Sequence, residues 1–99
     1  MIRVAAYVPD LMDRSKVAAA GDVTFVSHPG ALAGVEADVV VVDLMRPGVL
    51  EVLPGLSARV IGFARHTEPA LMAAAQAAGC DVVLPRSAFF ARMDEVLAG

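Results

Sequence analysis

The chain has 99 residues, a formal net charge of −3 and a composition that is 58% hydrophobic. That length holds one domain with a modest core. The eight basic residues, seven arginines and Lys16, are scattered, which excludes the clustered footprint of a nucleic-acid binder. The lone cysteine, Cys80, excludes an internal disulfide and a cysteine-based metal cluster. No apolar run approaches the roughly 20 residues needed to span a bilayer, and Val4 to Val8 is too short for the core of a signal peptide. The expected compartment is reduced and cytoplasmic, with no membrane partner.

Ile2 to Val8 reads as the first strand, a short apolar run closed by Pro9-Asp10. Asp10 is the expected N-cap of a first helix, with Asp13 at its third position in a capping-box-like arrangement. Leu11, Ser15, Val17 and Ala18 form that helix's expected buried stripe, Arg14 and Lys16 point outward, and Gly21 stops it. Val23 to Val26 is a second strand that ends at Ser27-His28-Pro29-Gly30. From Ala31 to Ala37, glycines at positions 30 and 34 leave room only for a short or irregular helix.

The run Asp38-Val39-Val40-Val41-Val42-Asp43-Leu44 comes next. Both faces of such a run are apolar, so it predicts the central strand of a parallel sheet covered on both sides. Asp43 then lies at a strand's carboxyl end, where open α/β sheets place their ligand sites. Pro47 fits the first turn of a following helix, with Val49, Leu50, Val52 and Leu53 on its apolar side and Pro54-Gly55 at its end.

Arg59 to Ala64 is a fourth continuous strand. Thr67 is the expected N-cap of the fourth helix, which runs through Leu71 and Met72 to Gly79. Asp81 to Pro85 is the last strand. Ser87 is the expected cap of a final helix in which Phe89, Met93, Val96 and Leu97 share one face. Strand and helix thus alternate five times. With right-handed crossovers this predicts an α/β fold, a flavodoxin-like three-layer α/β/α sandwich. Its five-stranded parallel sheet has the expected order 2-1-3-4-5, and residues 1–99 form a single domain.

Three features carry a resemblance over nearly the whole chain. The third strand ends in an aspartate, Val41-Val42-Asp43-Leu44. The fourth helix and fifth strand read Ala73-Ala74-Ala75-Gln76-Ala77-Ala78-Gly79-Cys80-Asp81-Val82-Val83-Leu84-Pro85-Arg86. The fourth strand reads Val60-Ile61-Gly62-Phe63-Ala64. In their order and spacing these resemble the bacterial response-regulator receiver domain. The resemblance implies two-component signal transduction, with Asp43 at the position of the family's phospho-accepting aspartate.

The chain departs from that family at most of its site. The pair of Mg²⁺-binding acids at the end of strand one falls on Tyr7 and Val8, with Asp10 near but displaced. The switch Thr/Ser falls on Ala64. The lysine falls on Arg86, and the proline that normally follows it precedes it here. One of five site positions is kept, Asp43, and one is kept in charge only, Arg86. The chain therefore resembles a degenerate, stand-alone pseudo-receiver that acts by protein contact rather than as an enzyme.

Aspartyl phosphorylation needs a cation to neutralise the approach of two negative groups, and Mg²⁺ takes oxygen ligands that Tyr7 and Val8 do not offer as carboxylates. The simpler expectation pairs Asp43 with Arg86, or with backbone N–H groups of the next loop, and no cofactor is expected. In an atypical phosphorylatable receiver, Asp10 or Asp13 would swing in and Mg²⁺ would bind. Arg65, His66 and Arg86, all at carboxyl ends of strands, form a candidate anion or switch site, which would make the chain a small-ligand-binding domain. A solvated loop is the simpler alternative there. Two histidines in separate loops make no metal site. Cys80 reads as a small buried hydrophobe. The helix 4–strand 5–helix 5 face, with Ala74, Ala78, Phe90 and Leu97, is the expected surface for a protein partner or a homodimer.

Overall fold

The computed structural model describes residues 2–99. Five parallel strands form one sheet: β1 (Val4–Tyr7), β2 (Val23–Phe25), β3 (Val39–Asp43), β4 (Arg59–Ala64) and β5 (Val82–Pro85). Their order is β2-β1-β3-β4-β5, as the alternation of elements predicts. The valine strand is central. Val39 to Val42 pair with Val4 to Tyr7 on one side, and Val39 to Asp43 pair with Arg59 to Phe63 on the other.

The continuous apolar run is explained by how its side chains divide. Val40 and Val42 point into one core with Ala5, Val60 and Ala64. Val39 and Val41 point into a second with Val4, Ala6, Ile61 and Phe63. Successive strand residues face opposite sides, so a strand covered by two layers has no polar position to spare. All five residues of β3 are buried.

The first core is closed by a 3₁₀ turn (Pro29–Gly34), by α2 (Val49–Val52) with a further 3₁₀ turn (Leu53–Gly55), and by α3 (Pro69–Ala77). The second is closed by α1 (Leu11–Ala18), α4 (Arg86–Ala91) and α5 (Met93–Ala98). The fourth helix expected from the sequence is α3, and the final helix is α4 and α5 together. No helix of the described residues is long and apolar enough to cross a membrane.

Four local expectations are corrected. The buried stripe of α1 is Asp13 and Val17, whereas Leu11 is 77% exposed and Ser15 and Ala18 face water. Thr67 does not cap α3; the boundary residue is Glu68, at φ −117° and ψ 57° with no side-chain cap bond. A residue before proline is pushed away from helical geometry, so Pro69 sets where that helix begins. Ser87 is not a cap either, because α4 starts directly after Pro85, at Arg86. The last helix breaks at Arg92, at φ −131°, which separates α4 from α5.

Two glycines answer different needs, Gly79 at the amino end of β5 and Gly62 beneath the residue that follows Asp43. Gly79 ends α3 at φ +112°, a backbone angle that side chains disfavour. Gly62 leaves room for the residue after Asp43: a Cβ there would lie 2.8 Å from Leu44 Cγ. Leu44 is 2% exposed and donates its N–H to the Phe63 carbonyl at 2.9 Å, which ties the end of β3 to β4.

Candidate functional site

A cleft of about 410 Å³ opens at the carboxyl ends of the strands. Asp10, Asp13, Asp43, Arg46, Arg65 and Arg86 line it, with Phe63 and Ala64 at its floor. The six charged groups arrive from four pieces of chain. Asp10 precedes α1, Asp13 lies in its first turn, Asp43 ends β3, and Arg46 follows in the next loop. Arg65 follows β4, and Arg86 opens α4. His66 is exposed and does not line the cleft, so the structure brings Arg65 and Arg86 together without it.

Asp10 caps α1 as expected. Its Oδ1 accepts the backbone N–H groups of Met12 and Asp13, each at 3.0 Å. Chiefly the Asp13 N–H holds the Asp10 carboxyl below the usual aspartate range, against a desolvation effect in the other direction; the Met12 N–H, Arg86 and Arg46 reinforce the lowering.

Asp43 is 6% exposed and is satisfied within three residues of itself. Its Oδ1 accepts the Met45 N–H at 3.0 Å, an arrangement typical of aspartates at turns. Its Oδ2 faces Arg46 Nε at 3.4 Å. One backbone N–H of the following loop, that of Met45, therefore does hold Asp43. The predicted pair between Asp43 and Arg86 does not form.

Arg86 is bound instead to Asp13, 73 residues away in sequence. Its Nη2 donates to Asp13 Oδ1 at 2.6 Å, and its Nη1 donates to Oδ2 at 2.7 Å. Asp13 is 2% exposed, so this bidentate pair has one end inside the protein. The hydrogen bond to Asp13, and beyond it the charges of Asp13, Asp43 and Asp10, hold the Arg86 guanidinium more firmly charged than a free one, against a smaller desolvation effect. The guanidinium carbon stands 5.8 Å from the Phe63 ring centroid and 5.4 Å from that of Phe90.

Arg46 is the charged cleft residue that sequence reasoning missed, and Asp13 entered it only as a capping residue and as an alternative Mg²⁺ ligand, not as the partner of Arg86. Asp13 did leave a signal. Asp13, Val17 and Ala20 are spaced i, i+4 and i+7, one stripe of a helix, and the last two pack in the second core. An acid in a buried stripe demands a cation, although the sequence does not say which one.

Mg²⁺ needs several oxygen ligands in near-octahedral array, and five of the six carboxylate oxygens of this cleft are committed elsewhere. Both Asp13 oxygens face Arg86, those of Asp43 face Met45 N–H and Arg46, and Asp10 Oδ1 serves the helix end. Val8, at one of the family's acid positions, is buried in the second core, and Tyr7 packs against the first. Among the described residues no group of three His, Cys, Asp or Glu side chains is arranged to hold a metal ion. The donor set does not fit Mg²⁺.

The predicted partner face does not form one apolar surface. Leu97 is core, 6% exposed, and Ala78 packs against the opposite side of the sheet. Ala74 is exposed. Phe90 is half-buried, its ring 5.2 Å from Phe63 and 4.9 Å from Phe89, with Lys16 Nζ 5.0 Å above it. Cys80 is buried as expected, and burial pushes its thiol up to about 11.

No family model matches the chain, and no curated protein matches it. Solved structures do. The BeF₃-activated receiver domain of DrrB is 19% identical, with a TM-score of 0.78 over 100% of this chain and 99% of that one. A response regulator from Hahella chejuensis is 14% identical, with a TM-score of 0.82 over 99% and 93%. The signal receiver domain of NarL from Mycobacterium tuberculosis is 23% identical, with a TM-score of 0.78 over 98% and 93%. The chain has the receiver-domain fold. The cleft at the carboxyl ends of β3, β4 and β5 gathers Asp43, Ala64 and Arg86, whereas Tyr7 and Val8 do not line it.

Proposed function

We propose that this chain is a signalling module of the receiver fold that works by protein–protein contact and is not phosphorylated at Asp43. The observation that carries the reading is the commitment of all three cleft carboxylates to groups of the chain itself. A phosphoryl donor approaching Asp43 would meet a carboxylate without a metal beside it, which removes the largest contribution to the reaction. Ala64 adds no hydroxyl where the family places its Thr/Ser.

Support for contact comes from the segment between Asp10 and Asp13. Leu11 and Met12, at the start of α1, are 77% and 73% exposed. Adjacent large apolar side chains this open are a feature of surfaces that meet partners. The test is incubation of the intact chain with Mg²⁺ and acetyl phosphate, read by intact-mass spectrometry. No phosphoryl adduct is expected. A stoichiometric adduct that Asp43→Asn abolishes would sink the proposal.

A further inference from the structure

The three carboxylates of the cleft share it with positive charges that are part of the chain, and Arg86 is the one bound bidentately to a buried acid. Arg86 takes both oxygens of Asp13 at 2.6 and 2.7 Å, while Asp43 and Asp10 line the same cleft beside it. On its apolar side the guanidinium meets Phe63, which stacks with Phe89 in the second core, and Phe90, which meets Phe89 edge-on. An arginine cannot give up its proton in a protein, and its planar fork matches a carboxylate in one orientation. The cation is therefore permanent, and its direction is set.

We propose that the Arg86 guanidinium is a tethered cation that stands in this cleft in place of a divalent metal ion, clamping α1 to the β5–α4 junction in one ion-independent arrangement. The inference deepens the reading above and rests on it. It assigns Arg86 a positioning role through Asp13. An entering metal ion would have to displace a charge-assisted bidentate pair before gaining a single Asp13 oxygen. Removing the guanidinium would leave the carboxylates of Asp10, Asp13 and Asp43 offset only by Arg46 and Arg65, a cleft with net attraction for a divalent cation.

The test uses Mn²⁺ alone as a paramagnetic probe of amide spectra of the full chain, comparing wild type with Arg86→Met. Wild type is expected to show no saturable broadening at the cleft. Arg86→Met is expected to show saturable broadening around Asp10, Asp13 and Asp43, with affinity raised about tenfold or more. Adding Asp13→Asn to that variant removes the gain. If Arg86→Met fails to fold alone, Mn²⁺ refolds it, because an ion that binds only the folded chain stabilises it.

Four results overturn the inference. They are saturable binding by wild type at the cleft, a folded Arg86→Met that gains none, an unfolded one that Mn²⁺ does not rescue, and a double variant that keeps the gain. An acetyl-phosphate adduct on wild type would refute the function proposed above. The Arg86→Met titration still reads the tethered cation separately, so the two failures are told apart.

Discussion

Two carboxylates are buried among the described residues, and they are held in opposite ways. Asp43 is served by its own loop, through Met45 N–H at 3.0 Å and Arg46 Nε at 3.4 Å. Asp13 is served from the other end of the chain, by a bidentate Arg86 at 2.6 and 2.7 Å. A local turn satisfies an acid without fixing anything else in the fold. A pair spanning 73 residues fixes two elements relative to each other. On this comparison the residue that looks reactive, Asp43, is the less consequential one. Asp13, which reads as a helix-start residue in the sequence, holds the cleft together.

The largest expected effect comes from breaking the long-range pair. Asp13→Ala leaves Arg86 without its partner at the edge of the core and is expected to destabilise the fold by about 3 kcal/mol. The Arg86 side chain is 41% exposed, so water offsets part of the loss and places it at the low end for broken buried pairs. The double variant Asp13→Asn, Arg86→Met recovers most of the stability, since no buried charge remains unpaired. Urea denaturation measures all three. A loss under about 0.5 kcal/mol for Asp13→Ala would erase the contrast with Asp43.

A smaller effect is expected beneath Asp43. Gly62→Ala puts a Cβ 2.8 Å from Leu44 Cγ and overpacks the end of β3, at a cost of about 2 kcal/mol. If that variant is neutral in urea, Leu44 has room to move and the end of the strand is less fixed than the contacts indicate. The smallest effect belongs to Asp43 itself. Asp43→Asn keeps a carbonyl oxygen for the Met45 N–H and loses only the 3.4 Å contact with a half-exposed Arg46. It is expected to change stability by less than about 1 kcal/mol. A loss as large as that of Asp13→Ala would show that Asp43 carries a role the geometry does not reveal.

The frame was legible in the sequence because it follows from patterns that survive without knowledge of contacts. Four valines with no polar position require cover on both faces, and Val39 to Val42 divide two and two between the cores. Regular alternation of strand and helix then leaves few topologies, and the observed order is the expected one. Asp10 was legible as a cap because capping is decided within three residues. The Asp13–Arg86 pair was not legible, because nothing in either segment names a partner 73 residues away.

Helix starts at Thr67 and Ser87 were misread for a local reason. Proline outranked the hydroxyls, as Pro69 moved one boundary to Glu68 and Pro85 let the last strand run directly into α4. No proline or glycine marks the break at Arg92. Leu97 lies in the core with Phe89, the face a helical spacing of eight residues gives it, and so is not part of the partner face.

The central claim is that the cleft is already occupied by its own cation and does not respond to the ions and phosphoryl mimics that act on receivers. Amide spectra of wild type with Mg²⁺ and beryllofluoride test it most directly, since the similar DrrB receiver domain is a BeF₃-activated one. The account predicts that the amides of Asp13, Asp43, Met45, Ala64 and Arg86 keep their positions. Saturable shifts at Asp43 and Ala64 that require both reagents would contradict it.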